Sequence, residues 1–279
     1  MNDNYRINCS IGSLNSINII DQKSDICLNN KEYNMSTDSR SIQKNDIFIA
    51  LKGRYSDGHN FLPQAFNNGA SAAIISEKKI FEESNFPLIL VQDTFIALSK
   101  ISEYNFKDIK SLKIAITGSV GKTTTKDYLK NVLSYYEPTF AAPESFNNEL
   151  GIALSKAKIS KLDKYAIFEV GMNMKNEISN LSKLINPDIA IITNIGEAHI
   201  GNLGSKKNIA IEKSNIIDGM SNNGIVLLPR DSDYFEFLQK KALAKNLRSI
   251  TFGYSNKSDI QISKITRGKD RVFIEFKAF

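Results

Sequence analysis

Residues 117–124, running Thr117, Gly118, Ser119, Val120, Gly121, Lys122, Thr123 and Thr124, combine the parts needed to hold a chain of phosphates. The two glycines let the backbone turn tightly, so that several N–H groups face one concavity. Lys122 adds a full positive charge, and the Thr123 hydroxyl stands where it would ligate a Mg²⁺ bridging phosphates. The general phosphate-loop motif keeps four residues between its glycines. Here Gly118 and Gly121 are separated by Ser119 and Val120 alone, and Ile116 occupies the place of the motif's first glycine. A Gly-Lys-Thr tripeptide by itself is a common accident, so its neighbours decide its meaning. The apolar run 114–116 reads as a buried strand and the amphipathic segment 124–133 as a helix. The loop thus leads a strand into a helix N-terminus, whose partial positive charge attracts anions. Gly118 to Thr124 are expected to bind the phosphates of a nucleotide.

Three further places carry residues of chemical interest. Glu169 ends the apolar run 166–170, and an acid at the carboxyl end of a core strand can hold Mg²⁺ together with Thr123. His199 closes a strand-to-loop segment that also holds Asn194 and Glu197. A lone histidine is most often structural, and Mg²⁺ prefers oxygen ligands. Lys213 lies early in a helical segment and on position alone reads as a surface lysine. Asn147 and Asn148 head a helical segment and read as an ordinary N-cap.

These residues need elements to position them. From residue 113 onward, apolar runs at 166–170, 189–193, 225–228 and 250–252 predict strands. They alternate with expected helices near 122–135, 148–157, 175–185, 205–219 and 233–245. That alternation predicts a doubly wound, mainly parallel α/β sheet with ligands at the carboxyl ends of its strands. Residues 260–265 and 271–276 alternate apolar and polar about a turn at 267–270, the pattern of a β-hairpin. Ahead of this lies a smaller α/β domain, with strands at 46–51, 71–76 and 88–91 and helices at 61–68 and 94–104. The polar stretch 105–111 marks the boundary, so the expected domains are 1–107 and 108–279.

With 42% hydrophobic and 24% charged residues, the composition is that of a globular protein with substantial cores. No run approaches the ~18 apolar residues of a membrane span, and the N-terminus lacks a signal-peptide pattern, so a cytoplasmic protein is expected. Cys9 and Cys27 form neither a disulfide framework nor a metal-ligand spacing. The net charge of +6 comes from scattered lysines without interleaved aromatics, so no nucleic-acid partner is expected.

The motifs together resemble the Mur ligases, ATP-dependent amide-forming enzymes of peptidoglycan synthesis. The shortened loop 117–124 is similar to that family's phosphate loop. The resemblance extends to the segments 145–151, 169–173 with Glu177 and Ile178, and 193–199. In the first domain it covers 37–40, 48–53 and 57–59, which are similar to a module holding a UDP-sugar. Within the family the pattern is closest to the member that joins D-alanyl-D-alanine to UDP-N-acetylmuramoyl-tripeptide. The resemblance implies ATP and Mg²⁺, with Thr123, Glu169, His199 and Lys213 around the metal and Lys213 carbamylated. Lys122, His199 and Lys213 become the catalytic group, and Asn147 or Asn148 assists with phosphate or substrate. Ser39 and Arg40 would sit by the uridine, and a monomer is expected. The family places an Asn beside the adenine after the 225–228 strand, where this chain has Pro229, Arg230 and Asp231. The family also has a third, C-terminal domain, and the sequence ends in the hairpin that precedes it. A related ligase of other specificity, a folylpolyglutamate synthetase and a non-catalytic nucleotide- or UDP-sugar-binding chain stay open as alternatives.

Overall fold

The structure, a computed structural model, describes residues 5–23, 32–53, 56–198, 200–269 and 271–278. Two compact units form, Met1–Ile109 with Ala153–Ser160 and Lys110–Ile152 with Lys161–Phe279.

The first unit holds strands β1 (Arg6–Ser10), β2 (Ile19–Gln22), β3 (Glu32–Ser36), β4 (Ile47–Ile49), β5 (Ala72–Ile75) and β6 (Leu88–Val91). Its helices are α1 (Ile11–Leu14), α2 (Leu62–Asn67), α3 (Lys78–Glu83) and α4 (Thr94–Phe106). The sheet order is β1-β3-β4-β5-β6-β2, with β3 to β6 parallel and an antiparallel strand at each edge. Strands β4, β5 and β6 are buried along their whole length, which is why they read as unbroken apolar runs. Phe48, Leu62, Ile75 and Leu90 meet in the core of this unit. Arg6 clamps the buried Asp46 carboxylate through two hydrogen bonds of 2.8 and 3.0 Å, tying β1 to the start of β4.

The second unit holds β7 (Leu112–Thr117), β8 (Thr139–Ala141), β9 (Tyr165–Glu169), β10 (Ile189–Ile192), β11 (Ile225–Pro229), β12 (Arg248–Gly253), β13 (Ile260–Arg267) and β14 (Val272–Ala278). Its helical segments are α5 (Lys122–Ser134), the start of α6 (Glu149–Lys158, counted with the first unit from Ala153 on), α7 (Glu177–Ile185), α8 (Ile200–Leu203), α9 (Lys206–Ser214) and α10 (Phe235–Ala244). The strand order is β14-β13-β12-β11-β10-β7-β9-β8, parallel throughout except for the terminal β13–β14 hairpin. The expected mainly parallel α/β architecture and its hairpin are both present. From β7 the chain winds outward to β8 and β9, then returns to the other flank of β7 as β10. The loops after β7 and β10 therefore diverge, the arrangement that opens a ligand crevice at a topological switch point. Register places Glu169 beside Ile116 on one side and Ile192 beside Thr117 on the other, so three strand ends reach the crevice at one level.

Ile114, Ile116, Ile167 and Ile191 form the core under this crevice, covered by Leu129 and Leu133 of α5. Truncating a fully buried isoleucine removes its transfer free energy and leaves a cavity. Ile116→Ala should cost about 2–5 kcal/mol of unfolding free energy in urea titrations. Ile20→Ala, on an exposed edge strand, should stay within about 0.5 kcal/mol of the parent.

Candidate functional site

The phosphate loop is fixed by its neighbour strand. Thr193 Oγ1, just past β10, donates to Val120 O at 2.7 Å. Asn194 Oδ1 accepts the N–H groups of Ser119 and Val120, both at 3.1 Å, while its amide donates to Val120 O. Ser119 Oγ in turn accepts the Gly196 N–H at 2.8 Å. This contact leaves no room at position 118, where a Cβ would overlap Thr193 Oγ1. Gly121 is needed for a different reason: it enters α5 with φ of +82°, in the left-handed region. It is the N-cap of α5, and among the described residues no side chain caps that helix start. The first N–H groups of α5 thus remain available to an anion, reinforced by the helix dipole. Lys122 Nζ folds back to Gly118 O at 3.1 Å, which sets its ammonium over the loop.

Thr123 and Glu169 meet directly, Oγ1 donating to Oε2 at 2.7 Å. Glu169 is buried rather than solvent-facing, and Asn147 donates to its other oxygen at 3.2 Å. The two asparagines divide their work. Asn148 Oδ1 accepts the Gly151 N–H at 2.8 Å, which is N-cap geometry for α6, whereas Asn147 turns to the carboxylate. Lys126, one turn beyond Lys122, is also buried and donates to Ala142 O at 2.9 Å. It fastens α5 to the segment that leads to Asn147.

Position alone made Lys213 a surface lysine; the structure corrects this, since only 1% of it is exposed. Packing of α9 decides the matter. Glu212, its neighbour, is buried too and accepts the N–H groups of Asn176 and Ile178 at 2.8 and 3.0 Å, capping the start of α7. Burial pushes the Lys213 ammonium down to about 7, repulsion from Lys122 adds to this, and Glu212 opposes it. The Lys122 contribution means that the two amines share one electrostatic neighbourhood. Among the described residues, Lys213 has no hydrogen-bond or ion-pair partner.

Phosphate loop, Thr123, Glu169 and Asn147 are thus brought into contact, with Lys213 close enough to feel Lys122. Val120 and Thr124 are both exposed; the Val120 backbone is held by Thr193 and Asn194, and among the described residues Thr124 makes no side-chain hydrogen bond. His199 lies outside the described residues. Ser39 and Arg40 belong to the first unit. Ser39 Oγ donates to Gln64 Oε1 at 2.6 Å, and Arg40 forms a two-pronged pair with Asp38 at 2.8 and 2.9 Å. That pairing holds the Asp38 carboxyl below its ordinary range. Reading the sequence missed the bracing by Thr193 and Asn194. Their signal was a pair of polar residues directly after the apolar run 189–192.

Residues 32–107 match the model of the Mur ligase family catalytic domain, and residues 116–279 match the Mur ligase middle domain. The chain belongs to the Mur ligase family. A Bacillus subtilis UDP-N-acetylmuramoyl-tripeptide–D-alanyl-D-alanine ligase is 34% identical over 245 residues, covering 88% of this chain and 52% of the relative. The Rickettsia prowazekii protein of the same name is 39% identical over 228 residues, covering 80% and 50%. A crystal structure of MurF from Acinetobacter baumannii superposes with a TM-score of 0.85 at 29% identity, over 97% of this chain and 58% of that one. MurF from Thermotoga maritima in complex with ADP gives 0.75 at 28% identity, over 88% and 56%. The chain spans about half the length of the curated relatives it matches. The apo form of L. casei FPGS, at 14% identity and a TM-score of 0.54, shares the fold.

The Lys213 amine predicts a pH dependence of stability. Its native pKa, about 7, lies below the unfolded 10.5, so the unfolded chain binds the extra proton between these values. This group's contribution is least favourable below pH 7 and recovers as pH rises toward 10.5. In bicarbonate-free buffer, Lys213→Met should therefore be more stable than the parent at pH 7. Denaturant midpoints should converge by about pH 10.

Proposed function

We propose that this chain holds the substrate- and nucleotide-handling part of an ATP-dependent ligase that joins D-alanyl-D-alanine to UDP-N-acetylmuramoyl-tripeptide. The observation that carries the reading is the Thr123–Glu169–Asn147 cluster beside an uncapped helix N-terminus, in a member of the Mur ligase family. Residues 1–107 would hold the UDP-sugar, with Ser39 and Arg40 at the uridine end, and residues 108–279 would hold ATP. We assign the protein to the cytoplasm, where ATP and UDP-linked precursors are available.

Residues 118–124 would grip the phosphates through the free N–H groups of α5 and the Lys122 ammonium. As the γ-phosphoryl group passes to the free carboxylate of the tripeptide, these donors stabilise the charge spread over its oxygens. The bond to the β-phosphate oxygen breaks, and the products of that step are an acyl phosphate and ADP. The amine of D-alanyl-D-alanine then attacks the acyl carbon, loses a proton and expels phosphate. Asn147 keeps the Glu169 carboxylate oriented throughout.

The donor set suits Mg²⁺, because Thr123 and Glu169 offer a hydroxyl and a carboxylate, and such sites pair few protein oxygens with phosphate oxygens and waters. Bound there, Mg²⁺ would neutralise phosphate charge. His199 and a carbamylated Lys213 would complete its surroundings. An amine with a pKa near 7 is substantially unprotonated at neutral pH, which is the form that adds CO₂. The amine nitrogen bonds to the carbon, a proton leaves, and a carboxylate-like group results.

Three measurements test this. ATP-dependent phosphate release with UDP-N-acetylmuramoyl-tripeptide should require D-alanyl-D-alanine; release with a diamino acid in its place would point to another member of the family. Lys122→Ala should lower the rate by about 10²-fold or more, as loss of a positioned charge-stabilising donor does. An unchanged turnover would remove Lys122 from the mechanism. With ¹³C-bicarbonate, NMR should show a carbamate carbon that disappears in Lys213→Met, and its absence from the parent would refute the modification.

A further inference from the structure

Lys126 carries a buried charge for which the reaction above has no use. Its side chain is 4% exposed, and among the described residues it makes one hydrogen bond, to Ala142 O at 2.9 Å. Asp127, at 3.6 Å, is itself exposed, so water screens that pair. Burying an ammonium is unfavourable unless strong contacts offset it, and an apolar side chain would fill the same space without that penalty. What the ammonium adds is a charge-assisted hydrogen bond, roughly twice as strong as a neutral one. The carbonyl it grips stands at a turning point of the chain. Ala142 is the first residue beyond β8, and its N–H still donates to Ile167 O of β9 at 2.8 Å. Past it, residues 143–148 cross to α6 outside any strand. Ser145 has a φ of +67°, a left-handed conformation that a serine keeps only where its surroundings impose it. The crossing is fixed again at Asn147, whose carbonyl accepts the Gly171 N–H at 3.1 Å. A Cβ at position 171 would stand 2.9 Å from Asn147 Cγ, so the Asn147 amide lies against the backbone just past β9. From there its Nδ2 donates to Glu169 Oε1 at 3.2 Å.

We propose that Lys126 is a positioning residue: by holding Ala142 O it sets where the 142–147 crossing begins, and so aims the Asn147 amide at Glu169. It acts through Asn147 rather than on a ligand. Glu169 has one oxygen on Thr123 and the other on Asn147, so a misaimed Asn147 leaves the carboxylate free to turn. Residues that orient a metal ligand from behind typically cost about 10–100-fold in metal affinity when replaced. The effect on ion binding rests on the proposed metal role of Thr123 and Glu169, whereas the aim of Asn147 does not.

Two measurements on the full chain test this. The first is the Asn147 side-chain amide signal in ¹H–¹⁵N spectra, assigned by its loss in Asn147→Ala. Glu169→Gln should move it upfield, because a hydrogen bond to a carboxylate is lost. Lys126→Met should move it the same way, and Lys126→Arg, which keeps a charged donor, should leave it near its parent position. A signal unmoved in Lys126→Met would overturn the proposal. Should that variant not fold, Lys126→Gln, which keeps an uncharged donor on a shorter side chain, is read by the same criterion. The second measurement is Mn²⁺ binding in the presence of ADP, followed by electron paramagnetic resonance. Lys126→Met should weaken it by about tenfold or more, and Lys126→Arg should restore most of the loss. Adding Lys126→Met to Asn147→Ala should cost little further, since the two act in series; fully additive losses would overturn the route through Asn147. Tripolyphosphate without metal is the control: a loss as large as that for Mn²⁺ would make Lys126 a direct phosphate charge and overturn its positioning role. A parent chain that binds no Mn²⁺ with ADP would overturn the metal reading instead, leaving the Asn147 signal to decide the role of Lys126.

Discussion

The site depends on the close approach of the phosphate loop to the end of β10. A side chain at position 118 would overlap Thr193 Oγ1, and the space it vacates is used by hydrogen bonds from Thr193 and Asn194. This contact fixes the loop between two strands that already share a register across Thr117 and Ile192. The direction of α5 follows from it, because Gly121 turns the chain into that helix in a left-handed conformation. The placement of Lys122, Thr123 and the buried Lys126 follows in turn, since all three project from the first turns of α5. A loop built this way is braced by a sheet strand, so its backbone position is set by the fold.

Charge arrangement around the loop is deliberately uneven. Glu169 is satisfied by Thr123 and Asn147, and Glu212 by the amides that start α7, so neither carboxylate neutralises Lys213 directly. Lys213 is left buried with Lys122 as a repelling neighbour, which lowers its proton affinity. A buried, unpaired ammonium destabilises a fold unless the group serves some other purpose. The carbamylation proposed above would supply such a purpose, because it would turn the buried amine into an anion.

Much of this was legible in the chain, for reasons that can be stated. Strands β5, β6, β9 and β10 are buried on both faces and so appear as continuous apolar runs. The β13–β14 hairpin announced itself by alternation. Other elements left no such trace. Strand β2 is exposed at all four residues and β8 has three half-buried ones, so neither carries an apolar signature; both are fixed by pairing with neighbours. The burial of Lys213 was equally illegible, because a single lysine among polar neighbours gives no sign that its helix turns inward. Gly118, Lys122 and Thr123 were readable because their chemistry is local. Asn147 and Asn194 act across 22 and 75 residues of sequence, and only the assembled sheet brings them to Glu169 and Ser119.

The unusual glycine spacing acquires a physical sense from these contacts. A loop with two residues between its glycines has fewer backbone amides to offer than the longer motif. Of these few, the N–H groups of Ser119 and Val120 are taken by Asn194. Under the proposed nucleotide reading a phosphate would therefore be met mainly by the start of α5 and by Lys122, one step further along the chain. Shortening the loop thus transfers part of its role to the neighbouring strand, which supplies rigidity, and part to the helix, which supplies the donors. Asn194 also lines the pocket of about 240 Å³ at the ends of β10 and β11, so the brace of the phosphate loop and one wall of that pocket are set by the same side chain.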